Sequence, residues 1–100
     1  MRKIFYKDES AVHPGKYLIR VKLEEFNLDS TTGSFSIIAA RLFGITYAQY
    51  LRMCRDHYGA EIYGKSSNYP VAYFKLSKEL DSLIAQLNER ANLILEGGTI

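Results

Sequence analysis

The sequence predicts a single α+β domain, because strand-like and helix-like hydrophobic patterns follow one another along its 100 residues. Residues 16–24 alternate apolar and polar side chains, which is the period of a half-buried β-strand. Residues 34–58 and 77–96 repeat apolar side chains every three or four positions, as amphipathic helices do. Hydrophobic residues make up 47% of the chain. This fraction is enough for a modest core in one domain that spans residues 1–100.

The N-terminal third is predicted to contribute two strands to a small antiparallel sheet. The first is a short edge strand at residues 3–7, and a turn or loop follows at residues 10–15. The second strand begins at Lys16, and one of its faces carries Tyr17, Ile19, Val21 and Leu23. The polar residues 27–33 end this pattern. Ser34 can then cap the helix that follows.

Two short helices joined at Gly44 are predicted in the centre of the chain. The first carries an apolar stripe of Phe35, Ile38, Ala39 and Leu42. Glycine can adopt the left-handed conformation that ends a helix, and Thr46 can cap the next helix. Periodicity gives the second helix an inner face of Tyr47, Tyr50, Leu51, Cys54 and Tyr58 and an outer face of Gln49, Arg52 and Asp56, with Arg55 on the flank. A tight reversal between the helices follows.

This central segment resembles the helix-turn-helix of DNA-binding regulators. In that motif a small residue, here Ala40, precedes the turn glycine, here Gly44, by four positions. Strand-like runs at residues 60–63 and 71–76 predict a β-hairpin over residues 60–76, which is similar to the wing of winged helix-turn-helix proteins. Small domains of this type are found in phage and mobile elements. A transcriptional regulator or a recombination accessory factor is the implied role.

The resemblance implies that double-stranded DNA is the partner, with the second helix in the major groove. Gln49 and Arg52 suit adenine and guanine edges, and Arg55 is the next basic residue along this helix. Phosphate contacts are expected from Arg41, Thr46 and Tyr47 on the helices and from Lys65, Ser66, Ser67 and Asn68 at the wing tip. A solvated helix face and a solvated polar loop would carry the same residue types, and these alternatives stay open.

The motif and the periodicity disagree about which face of the second helix is buried. The family pattern buries Ile45, Tyr50 and Met53, and it exposes Tyr47, Ala48, Leu51, Arg52 and Arg55. Periodicity instead buries Tyr47 and Leu51. An exposed leucine or tyrosine would suit a thymine methyl group or a protein partner. Gln49 and Arg52 are exposed under both interpretations.

Charge supports a polyanionic partner only through its distribution. The net charge of +2 is small, but residues 34–76 contain five basic and two acidic residues, whereas residues 77–100 contain two basic and four acidic residues. The positive excess therefore coincides with the helix-turn-helix and the hairpin.

Little in the sequence indicates an enzyme, a metal site or a cofactor. Cys54 is the only cysteine, so neither an internal disulfide nor a cysteine-rich zinc site can form. His57 stands three residues after Cys54, but no third group is recognisable that would orient a thiolate–imidazole pair. No apolar run approaches the roughly 20 residues that cross a bilayer, and the N-terminus lacks the apolar block of a secretory signal. A cytoplasmic protein that does not bind membranes is expected.

The C-terminal helix is predicted over residues 77–96, with Ser77 as its cap and Gly97 and Gly98 as its end. Its stripe consists of Leu80, Leu83, Ile84, Leu87, Ala91 and Ile94. Leu93 and Leu95 lie off this stripe, which indicates a homodimer through the far end of the helix, unless that end simply frays. The chain also has eight tyrosines, with a cluster at Tyr63, Tyr69 and Tyr73. Because tyrosine is enriched at protein interfaces, the alternative function is that of a small interaction or inhibitor protein, for example a phage-encoded one. It would use the helix-turn-helix and the tyrosine-rich hairpin to bind a protein partner.

Overall fold

The computed structural model describes residues 3–22, 35–64 and 70–97. The elements in these ranges are β1 (Phe5–Glu9), β2 (Tyr17–Val21), α1 (Phe35–Phe43), α2 (Tyr47–Tyr58), β3 (Glu61–Tyr63), β4 (Val71–Tyr73) and α3 (Lys78–Gly97). The α+β class is therefore confirmed, with two small antiparallel sheets, a central pair of helices and a long C-terminal helix. Ser34 lies outside the described residues.

The N-terminal strands pair as the alternation predicts. β1 and β2 are antiparallel, with Phe5 opposite Val21 and Glu9 opposite Tyr17. β3 and β4 form a second antiparallel pair. The two pairs are joined where Tyr17 and Phe74 exchange backbone hydrogen bonds of 2.7 and 2.8 Å. The order of neighbouring strands is thus β1, β2, β4, β3, and the first strand begins two residues later than predicted.

One hydrophobic core lies between the helices and the sheets. The apolar stripe of α3 runs through this core, because Leu80, Leu83, Leu87 and Ala91 are fully buried. The other elements contribute Ile4, Phe5, Ile19, Leu42, Leu51, Cys54 and Phe74. The predicted cap of α3 is confirmed, since the Ser77 hydroxyl accepts a hydrogen bond of 3.1 Å from the Leu80 amide. Ile84 and Ile94 are only partly buried at the edge of this core.

A buried asparagine on α3 holds the start of β1. Asn88 Oδ1 accepts hydrogen bonds from the amides of Ile4 (2.8 Å) and Phe5 (2.6 Å). Asn88 Nδ2 donates to the Phe5 carbonyl oxygen at 3.0 Å. The Ile4 carbonyl oxygen accepts a hydrogen bond from the amide of Lys22, directly after β2, so the Phe5 groups point to the other edge of β1. The Asn88 amide therefore pairs with Phe5 as a further strand would.

None of the helices in the described ranges combines the length and the apolar character that a bilayer-crossing helix requires.

Candidate nucleic-acid interface

The turn between α1 and α2 forms where the glycine pattern predicts it. Gly44 has a φ of +68°, in the left-handed region that favours glycine. Ala40 is 2% exposed, and its carbonyl oxygen accepts a hydrogen bond of 3.1 Å from the Ile45 amide. A larger side chain at position 40 would lie in the core beside this turn. Ala40 is therefore a core residue next to the turn.

Thr46 and Gln49 form a capping box at the start of α2. The Thr46 Oγ1 atom accepts a hydrogen bond of 3.1 Å from the Gln49 amide, and Gln49 Oε1 accepts one of 2.9 Å from the Thr46 amide. Such reciprocal bonds satisfy donors that the helix itself leaves unpaired. Both residues were predicted as DNA contacts. A two-bond contact from Gln49 to an adenine edge would therefore require its side chain to leave the cap.

The Tyr47 hydroxyl points to the hairpin side of the molecule. It donates a hydrogen bond to the carbonyl oxygen of Pro70, directly before β4. The side chain is half-buried and packs against the core. This bond ties the first turn of α2 to the hairpin. A phosphate at Tyr47, as the helix-turn-helix resemblance implies, would have to compete with it.

Helical periodicity, and not the family pattern, describes the buried face of α2. Tyr50, Leu51 and Cys54 are buried, and Leu51 is only 7% exposed. The expected exposure of Leu51 is therefore wrong. The physical reason is that the β3–β4 hairpin packs against α2, which covers a face that two helices alone would leave open. Ile45 and Met53, the other two positions that the family pattern buries, are half-buried.

The outer surface of α2 consists of Ala48, Gln49, Arg52, Arg55 and Asp56, all of which are exposed. Arg55 Nε lies 2.8 Å from Asp56 Oδ1, and this hydrogen bond raises the pKa of Arg55 and lowers the pKa of Asp56. Arg52 adds a weaker electrostatic contribution to the lowered pKa of Asp56. Two arginines and one carboxylate leave this surface with a net positive charge.

An open hollow of about 350 Å³ lies between α2 and the first strand of the hairpin. We call it the α2–β3 hollow, and it is lined by Ala48, Leu51, Arg52, Arg55 and Ile62. Its apolar part comes from the alanine, the leucine and the isoleucine, and its polar part from the two guanidinium groups. The two exposed arginines predicted for DNA binding thus share one concave surface.

The remaining predicted contacts lie on α1 or outside the described residues. Arg41 is exposed in the last turn of α1. Lys65, Ser66, Ser67 and Asn68, the predicted wing tip, lie outside the described residues, as does Tyr69. The geometry therefore brings together Arg52 and Arg55, with Gln49 beside them.

The cysteine and histidine of α2 have unequal environments. Cys54 is fully buried, and burial raises the pKa of its thiol to about 12. His57 is exposed on the same helix. Within the described ranges, no group of three or more His, Cys, Asp or Glu side chains could hold a metal ion. Cys54 is a core residue in this arrangement.

We expect the folded protein to resist alkylation at Cys54. The thiolate is the reactive species, and a shift of the pKa from 9.0 to about 12 lowers the thiolate fraction at pH 8 roughly a thousand-fold. Iodoacetamide should label the native protein very slowly and the protein in concentrated guanidinium chloride completely, as measured by intact mass. Rapid labelling in native buffer would show that the thiol is accessible.

Two tyrosines of the hairpin contact His13 and Lys16, which the sequence pattern did not connect with them. The rings of His13, Tyr63 and Tyr73 lie 4.8 to 5.0 Å from one another. Lys16 Nζ lies 2.5 Å from Glu61 Oε2 and donates a hydrogen bond of 2.6 Å to the Tyr63 hydroxyl. These contacts fasten the β1–β2 loop to the hairpin. Two of the three tyrosines proposed for a protein interface therefore pack within the domain.

Comparison of the chain with protein-family models, with curated proteins and with solved structures found no match. The resemblance to helix-turn-helix proteins therefore rests on the residues of this chain alone.

Proposed function

We propose that this protein binds double-stranded DNA in a sequence-dependent manner, as a small regulator or recombination accessory factor. In this proposal α2 is the recognition helix and the β3–β4 hairpin is a wing. The observation that carries it is the outer surface of α2, where exposed Arg52 and Arg55 flank one hollow on a helix that follows a glycine turn.

The dimensions and polarity of α2 support the proposal. Its 12 residues give a length of about 18 Å, and a helix of ordinary diameter fits the major groove of B-form DNA. In helix-turn-helix proteins the N-terminal part of the recognition helix reads base edges. Here that part carries Ala48, Gln49 and Arg52 on its exposed side. The positive end of the helix dipole lies at the same end and favours nearby phosphates.

Arg52 is the residue we assign to base recognition. Its guanidinium group can donate two parallel hydrogen bonds to the O6 and N7 atoms of guanine. Arg55 is held by Asp56, so part of its charge is already balanced. Arg41 on α1 would bind a phosphate. This division separates a residue that selects sequence from one that adds affinity to every sequence.

A protein partner is the second candidate, and Leu93 is the observation that favours it. This leucine of α3 is 63% exposed, whereas Leu95 packs partly against the core. A homodimer that buries Leu93 is compatible with DNA binding, since dimeric regulators bind paired half-sites. In the second candidate function, the exposed end of α3 contacts a different protein.

Selection from a pool of randomised duplexes, followed by fluorescence anisotropy, tests the DNA-binding proposal. We expect Arg52→Ala to weaken binding to the selected duplex by about 1–3 kcal/mol and to relax its sequence preference. Arg41→Ala should weaken all duplexes alike and reduce the slope of log affinity against log salt by about 0.9. Arg20→Ala is the matched control, because Arg20 is paired with Asp8 on the N-terminal sheet.

Two results would contradict the proposal. The first is a selection that enriches no sequence, with no retention of duplex DNA at low salt. The second is equal weakening by Arg52→Ala and Arg20→Ala, which would show that only total charge matters. The oligomeric state should be measured in parallel, because a dimer would require two half-sites in the selected duplexes.

A further inference from the structure

The α2–β3 hollow places apolar surface beside the two exposed arginines of α2. Ala48, Arg52 and Arg55 follow one another at intervals of four and three residues, so they share one stripe of the helix. Leu51 and Ile62 complete the apolar lining. Phosphate contacts need charge and hydrogen-bond donors, and they gain nothing from such a lining. The hollow therefore matches a ligand that presents an apolar group beside hydrogen-bond acceptors.

The major groove contains a group of this description. Thymine presents its C5-methyl group next to the O4 acceptor, and guanine presents the acceptors O6 and N7. Guanidinium groups only donate hydrogen bonds. They complement both bases, whereas the N4 amine of cytosine would face another donor. Ala48 has the smallest side chain on the outer surface of α2, which allows a base edge to approach the helix closely there.

We propose that the α2–β3 hollow reads a thymine that is adjacent to a guanine in duplex DNA. The thymine methyl group packs against Ala48 at the mouth of the hollow, and Arg52 binds the neighbouring guanine. This inference rests on the DNA-binding function proposed above. It adds Ala48 as a specificity-determining residue, which the sequence alone left among several exposed positions.

The positive charge of Arg52 and Arg55 favours DNA over a protein partner at this hollow. Both charged residues of the lining are arginines, and DNA supplies acceptors on base edges as well as phosphates on either side of the groove. An apolar side chain of a protein would bring an apolar group without a fixed arrangement of acceptors. An acidic peptide is the one competing class, and it would show no dependence on base methyl groups.

The test measures affinity for the selected duplex by anisotropy after replacing one thymine at a time with deoxyuridine, which removes only the methyl group. At one thymine next to a guanine, we expect binding to weaken about four-fold, the effect of exposing one methyl-sized group. Replacing the same T·A pair with a 5-methylcytosine·G pair keeps the methyl group but removes O4, and it should also weaken binding.

Variants of the protein connect this effect to Ala48. Ala48→Gly should bind the duplex with deoxyuridine at that position as tightly as the duplex with thymine. Ala85→Gly changes an exposed alanine of α3 and should keep the full difference, as the matched control. Ala48→Ser preserves helix propensity better and should also reduce the methyl effect. Circular dichroism of each variant verifies folding.

The outcomes separate this inference from the proposed function. If no replacement of thymine by deoxyuridine changes the affinity for the selected duplex, thymine recognition is overturned and DNA binding is left intact. An unchanged methyl effect in Ala48→Gly and Ala48→Ser would assign thymine recognition to another residue and overturn the role of Ala48. A selection that enriches nothing would overturn the DNA-binding function itself.

Discussion

Asn88→Leu is expected to destabilise the protein by about 3–5 kcal/mol. Leucine has a similar volume but offers no hydrogen bonds, so the amides of Ile4 and Phe5 and the carbonyl of Phe5 would lose the partners that Asn88 provides. Each buried polar group left without a partner costs about 1–3 kcal/mol. Because Ile4 and Phe5 are themselves buried in the core, water can replace the lost bonds only if β1 moves away from α3.

Urea denaturation followed by circular dichroism measures this loss. Glu89→Leu is the matched control, because it introduces the same side chain at the next, exposed position of α3, where we expect a change within about 0.5 kcal/mol. Native-state hydrogen exchange adds a local readout, since the Phe5 amide should lose its protection in Asn88→Leu. Equal stability of the two variants would show that the Asn88 bonds contribute little.

The helices and strands followed closely from periodicity. The stripe of α3, the cap at Ser77 and the glycine turn at Gly44 are all properties of neighbouring residues in the chain, so local patterns predict them. The alternation of residues 16–24 likewise predicted β2. The shift of β1 by two residues arose because pairing with β2 fixes its register, and register depends on the partner strand.

The parts that the sequence did not reveal depend on contacts between distant segments. Asn88 stands four residues after Ile84 and three before Ala91, on the buried stripe of α3. This position marks a polar residue within the core, but not its bonds to residues more than 80 positions away. The packing of His13 against Tyr63 and Tyr73 similarly needs the β1–β2 loop to reach the hairpin.

The candidate site was predictable as a helix face but not in its details. Arg52 and Arg55 are exposed as expected, because both lie opposite the apolar stripe of α2. The motif and the periodicity gave opposite predictions for Leu51. In the structure the β3–β4 hairpin packs against α2, and Leu51 is buried and lines the hollow together with Ile62. Gln49 and Tyr47 have bonds within the domain that a single helix does not suggest. Local patterns therefore locate the surface, and tertiary contacts decide which groups on it are available.

Leu87→Ala is expected to destabilise the protein by about 2–5 kcal/mol, whereas Leu93→Ala should change the stability of the monomer by less than about 0.5 kcal/mol. The two leucines lie on the same helix, so differences in helix propensity cancel in the comparison. Leu87 is fully buried, and its truncation leaves a cavity in the hydrophobic core. Leu93 is exposed, so its truncation removes little packing within one chain. Urea denaturation of both variants measures the difference.

Leu93→Ala also tests the proposed dimer through α3. If Leu93 is buried between two copies, Leu93→Ala should lower the stability at high protein concentration and weaken association, because folding and dimerisation are then linked. Sedimentation of the unmodified protein and of Leu93→Ala over a range of concentrations measures this association. A monomer at all concentrations, with unchanged stability in Leu93→Ala, would rule out this surface as the dimer contact and leave Leu93 as an isolated exposed leucine, which is ordinary for a protein surface.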